Sequence, residues 1–175
     1  MKQIVIGIYG SGKSIRALKI ANDYRGRVIY YSWSECSYRY YLIHHPELMQ
    51  CFLDDNDKRF ISKSAPPTSW EYSTAWKSPE GKLLSLDALD AVNSHPGNVL
   101  LVLDDMAWAI GVQSKIGVLK RLSADPCDVI INIVDPFDLQ VPPDLLKGWA
   151  IYKYTGSDHC FEELDKNACK ELLTA

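Results

Sequence analysis

The 175-residue chain has no apolar run approaching the roughly 20 residues needed to cross a bilayer, and its start leads directly into a first strand. This reads as a soluble, intracellular protein. It also has no C-x-x-C pair. Its cysteines number five, Cys36, Cys51, Cys127, Cys160 and Cys169. An odd count without paired spacing favours reduced thiols over a disulfide framework. His44 and His45, between Cys36 and Cys51, fit no common zinc spacing and read as helix or loop surface. There is little excess charge of either sign: 19 Lys and Arg against 22 Asp and Glu give a net charge of −3. Without a global basic field, tight DNA binding by a monomer is disfavoured, while a ring with basic residues facing a pore stays open. Internal repeats and low-complexity segments are absent too. A single domain over 1–175 is expected, since 47% hydrophobic and 23% charged residues suit an ordinary globular core.

The most informative segment is Gly7-Ile8-Tyr9-Gly10-Ser11-Gly12-Lys13-Ser14, which spells G-x-x-x-x-G-K-S. Gln3-Ile4-Val5-Ile6 precedes it as a buried strand, and residues 15–21 follow as a helix start. The motif needs that strand–loop–helix context to bind phosphate. Glycines let successive backbone N–H groups turn toward phosphate oxygens, reinforced by the positive end of the helix. Gly7, Gly10, Ser11, Gly12, Lys13, Ser14 and Ile15 are therefore expected around the phosphates of ATP. Lys13 is expected to reach the β and γ phosphates, and Ser14 to give its hydroxyl to Mg²⁺.

The rest of the chain alternates strand with helix. Residues 27–33, 99–103, 129–134 and 149–154 read as further strands, joining the first in a five-stranded sheet. Residues 36–51, 82–93 and 108–122 read as helices, Pro142-Pro143 opens a short helix through Leu146, and 158–173 forms a final helix. Residues 57–81 read as an irregular insertion punctuated by Pro66, Pro67, Pro79 and Gly81. The alternation gives an α/β fold, a mostly parallel five-stranded core sheet in a three-layer sandwich, with ligand at the carboxyl ends of the strands.

The run Val99–Leu103 ends in Asp104-Asp105. An aspartate closing a hydrophobic strand downstream of a phosphate loop is the usual partner of Mg²⁺, which assigns Asp104 to the metal. Asp105 has two readings: it orients or deprotonates the water attacking the γ-phosphorus, or it caps the next helix. The first favours hydrolysis over transfer to a small acceptor. Arg121, ending the helix before the fourth strand, is the candidate arginine finger donated to a neighbouring subunit. Its alternative is a solvated arginine favouring a helix C-terminus. Arg16 and Lys19 read as surface residues.

In order and content these motifs resemble the FtsK/HerA branch of P-loop ATPases, especially the small genome-packaging ATPases of membrane-containing icosahedral viruses. The resemblance lies in GIYGSGKS (7–14), LLVLDDMAW (100–108), LKRLSADPCDVIINIVDP (119–136) and VPPDLLKGWAIYKYTG (141–156). It implies a RecA/ASCE-like fold and a Mg²⁺-dependent ATPase working as a homo-oligomeric ring, hexameric or pentameric. It further implies translocation of double-stranded DNA into a preformed capsid, contact with capsid or vertex proteins, and a place in the host cytoplasm or on the virion. One position departs from the pattern. The end of the fourth strand, commonly a polar sensor such as glutamine, is Asp135 here, with Asn132 inside the strand.

Trp70, Tyr72 and Trp76 lie near Arg59, Lys63 and Lys77. They read either as a DNA-contacting loop or as cover for a sheet edge or subunit interface. Tyr30, Tyr31, Trp33, Tyr38, Tyr40 and Tyr41 read as core and rim. Two other functions fit the loop: a nucleotide or small-molecule kinase, and a phage assembly or secretion ATPase that uses nucleotide as a switch.

Overall fold

The computed structural model describes residues 1–32, 37–55, 57–61, 98–104, 112–135 and 141–174. Seven strands form one sheet: β1 (Lys2–Ile6), β2 (Arg27–Ser32), β3 (Lys58–Ile61), β4 (Val99–Asp104), β5 (Asp128–Ile133), β6 (Ala150–Tyr154) and β7 (Phe161–Glu163). Their order across the sheet is β3-β2-β4-β5-β1-β6-β7. The first six run parallel and β7 alone is antiparallel, paired with β6. The helices are α1 (Lys13–Asp23), α2 (Ser37–His44), α3 (Pro46–Asp54), α4 (Val112–Ala124) and α5 (Lys166–Thr174), with a 3₁₀ turn at Pro143–Leu146.

Strand periodicity divides the core in two. Val5, Tyr30, Leu100, Val102 and Ile130 face Ala17, Leu18 and Ala21 of α1 and Leu48, Met49 and Phe52 of α3. The residues between them, among them Ile4, Ile29, Leu101, Leu103 and Ile131, face Val118, Leu119 and Leu122 of α4 with Leu146 and Trp149. β4 is buried along its whole length, as a strand covered on both faces must be. Each fully buried aliphatic side chain contributes about 1.5–3 kcal/mol relative to leaving it in water.

All five expected strands are present, and the sheet gains two edge strands. β3 falls inside the stretch read as an irregular insertion; residues 62–81 lie outside the described residues, as does the expected helix at 82–93. The helix expected over 36–51 is two helices. Pro46 has no N–H to donate and starts α3, while His45 before it leaves the helical region at φ −140°, ψ 52°. The helix expected over 158–173 is also corrected. Asp158 and His159 adopt left-handed backbone, residues 161–163 form β7, and only 166–174 are helical. The Asp165 carboxylate accepts the N–H groups of Asn167 and Ala168 at 2.8 Å each, which starts α5 there. No helix among the described residues is long and apolar enough to cross a membrane.

Candidate functional site

The parallel sheet brings the carboxyl ends of β1, β4 and β5 side by side. Gly7 still belongs to the sheet, donating its N–H to the Ile133 carbonyl at 3.1 Å. Beyond it the chain turns sharply. Gly10 and Gly12 take φ of 77° and 90°, which a side chain would strain. Gly7 is glycine for a different reason: a Cβ there would sit 2.6 Å from the Ser11 hydroxyl oxygen. Gly12 then caps α1 without a side-chain bond, and no acidic residue occupies the first turn. The positive end of the helix is therefore left for an external anion.

Lys13 is nearly buried, and its ammonium donates to the carbonyls of Gly7 at 2.7 Å and Ile8 at 3.1 Å. The exposed Tyr9 ring lies over it, 5.9 Å away. Its charge is thus held against the loop. The Ser11 hydroxyl is buried and bonds no described residue. An oxygen-rich ligand would satisfy it.

Asp104 closes β4 and is only 1% exposed. Three donors converge on its carboxylate. Ser14 Oγ donates to Oδ1 at 3.0 Å, Asn132 Nδ2 to Oδ1 at 2.8 Å, and the Tyr30 hydroxyl to Oδ2 at 2.8 Å. The sheet register explains the convergence. Ser32 of β2 pairs with Asp104, so Tyr30 lies two residues back on the same face, and Leu103 pairs with Ile131, which sets Asn132 beside Asp104. Burial raises the Asp104 pKa above its ordinary value; the bonds from Asn132, Ser14 and Tyr30 and the charge of Lys13 oppose that rise.

Mg²⁺ suits this arrangement. The Ser14 hydroxyl and the Asp104 carboxylate are hard oxygen donors in mutual contact, and Mg²⁺ keeps several waters while sharing phosphate oxygens with few protein groups. No cluster of three or more His, Cys, Asp or Glu side chains able to hold a metal by itself occurs among the described residues. Ser14 and Asp104 are the residues that would hold the ion, which when bound would neutralise phosphate charge.

Gly7, Gly10, Ser11, Gly12, Lys13, Ser14 and Asp104 thus come together at one place. The Ile15 side chain packs against the α1 side of the core. Asp135 is exposed just beyond β5, while the polar group that β5 sends to Asp104 belongs to Asn132. Arg121 sits in the last turn of α4, before β5 begins. Since β5 runs parallel to β1, that position is at the opposite end of the sheet from the loop after β1. Asp105, Lys63, Trp70, Tyr72, Trp76 and Lys77 lie outside the described residues. Arg16 is not a simple surface residue: it stacks on Tyr152 at 4.5 Å and donates to Gln3 at 3.1 Å, tying α1 to β1 and β6.

Tyr30 is the site residue that sequence reasoning assigned to core and rim. It is core, fully buried and stacked on Phe60 at 4.7 Å. Only its hydroxyl belongs to the site, and the tyrosine-for-phenylalanine choice at a buried strand position is the one signal that pointed there. No protein-family model and no curated protein matches this chain.

Proposed function

We propose that this protein is a Mg²⁺-dependent ATPase of RecA/ASCE-like fold that acts as an oligomeric motor on double-stranded DNA. The observation that carries the nucleotide part is the meeting of Lys13, Ser14 and Asp104 at the open N-terminus of α1. The strand order supports the fold class, because β5 separates the loop strand β1 from the Asp104 strand β4. That leaves the end of β5 between the phosphate loop and the metal carboxylate, where a polar group can act on attacking water. Hydrolysis rather than transfer is supported by the second carboxylate, Asp105, next in sequence. Arg121, distant from the loop of its own subunit, suits a finger given in trans to a neighbour. DNA packaging as the task rests on the resemblance to viral packaging ATPases, since a fold serves many functions.

The test is ATP hydrolysis by the purified chain with and without duplex DNA. Stimulation by duplex is expected, with Lys13→Ala lowering turnover by about 10²–10³-fold. Phosphorylation of a small acceptor in place of phosphate release would instead identify a kinase. Wild-type turnover in both Lys13→Ala and Asp105→Ala would refute the ATPase reading.

A further inference from the structure

The carboxylate of Asp104 is more fully committed than a metal-site aspartate needs to be. An ionised carboxylate offers about four acceptor positions. Among the described residues three donors already use them: Ser14 and Asn132 fill Oδ1, and the Tyr30 hydroxyl takes one position on Oδ2. The Tyr30 oxygen also lies 3.5 Å from the Ser14 carbonyl, so it spans the helix and strand that carry the two metal-site residues. Its ring is fixed from behind by Phe60, stacked at 4.7 Å, and by Phe52 edge-on at 6.1 Å. The hydroxyl has little freedom to withdraw.

Building on the nucleotide reading above, we propose that Tyr30 is a positioning residue that sets which divalent cation the Ser14–Asp104 pair accepts. Among the described residues no second donor occupies Oδ2. That leaves room for a hydrogen bond from water on a cation and too little for both carboxylate oxygens to ligate an ion directly. Mg²⁺, which gives up its waters reluctantly, tolerates this arrangement. Ca²⁺ takes six to eight oxygens and often uses both oxygens of one carboxylate, so the same arrangement discriminates against it. Removal of the hydroxyl frees Oδ2 and relaxes the discrimination.

The experiment is a titration of Mg²⁺ and of Ca²⁺ against binding of a fluorescent ATP analogue, read by anisotropy without turnover. In Tyr30→Phe the ratio of the two half-saturating concentrations should move about tenfold toward Ca²⁺, a size typical of groups that orient metal ligands. Binding of the analogue without metal should match wild type. Phe60→Leu serves as the packing control: it loosens the same ring stack while leaving the hydroxyl, and its cation ratio should move less than that of Tyr30→Phe. A Tyr30→Phe ratio within twofold of wild type overturns the proposal, as does an equal shift in Phe60→Leu. Metal-insensitive analogue binding by the wild type overturns the nucleotide–metal reading and this proposal with it.

Discussion

On one face of β4 and β5, Leu101, Leu103, Ile131 and Ile133 meet α4 in a contact made of hydrocarbon. On the opposite face, at the same ends of the same strands, Asp104 and Asn132 are equally buried and bonded to each other. The two faces differ by one residue of register, yet one holds only hydrocarbon and the other a hydrogen-bonded carboxylate. Apolar burial needs no directional partner, so its face tolerates exchange of one hydrocarbon for another of similar volume. A buried carboxylate is kept only by aimed donors, here Ser14, Tyr30 and Asn132. Burying the carboxylate therefore costs the polar face some folding free energy.

The widest separation of the two faces should come from Leu122→Ala. Leu122 is 1% exposed on the apolar side, and truncation there should cost about 3 kcal/mol. Urea unfolding should show that loss, while Mg²⁺-dependent nucleotide binding by the folded fraction stays unchanged. A comparable change in metal dependence would mean that the faces are not separable.

Gly12→Ala should act on both properties. Its φ of 90° strains any side chain, and the new Cβ would fall 2.7 Å from the His159 imidazole. A loss of about 1–2 kcal/mol is expected from the left-handed backbone, together with weaker nucleotide binding. If the urea midpoint stays put, the left-handed loop geometry is wrong.

The smallest expected effect has the opposite sign. Burial raises the folded-state pKa of Asp104 above its unfolded value. The stability tied to its protonated form is fully present below about pH 3.9 and is lost as pH rises through the folded pKa. Asp104→Asn should therefore melt higher than wild type at pH 7 in metal-free buffer. The difference should vanish toward pH 3. A lower melting point at pH 7 would show that the three hydrogen bonds outweigh the burial.

Much of the loop half of the candidate site was legible in the sequence, because the loop is a local object. Its glycines, lysine and serine act through backbone geometry that eight consecutive residues determine, and Asp104 is marked by the hydrophobic run it ends. Tyr30 was not legible as a partner of Asp104, since their meeting depends on the register of β2 against β4. The split of the 36–51 helix was signalled by Pro46, which helical spacing on either side obscured. At the C-terminal end, Phe161, Leu164, Ala168 and Leu172 mimic one helical stripe. Phe161 belongs to a strand, and Asp165, the residue that starts the helix, is polar and falls outside that pattern. β3 escaped because a four-residue strand opening with Lys58 and Arg59 carries too little hydrophobic alternation to stand out.

We propose that Asp104, held by its three donors, couples the 7–14 loop to Mg²⁺. The direct measurement is the affinity of a fluorescent ATP analogue for wild type and Asp104→Asn, each with and without Mg²⁺. At least a tenfold tightening by Mg²⁺ is expected in wild type and little or none in the variant, with similar metal-free affinities. Equal tightening in both proteins would contradict the proposal.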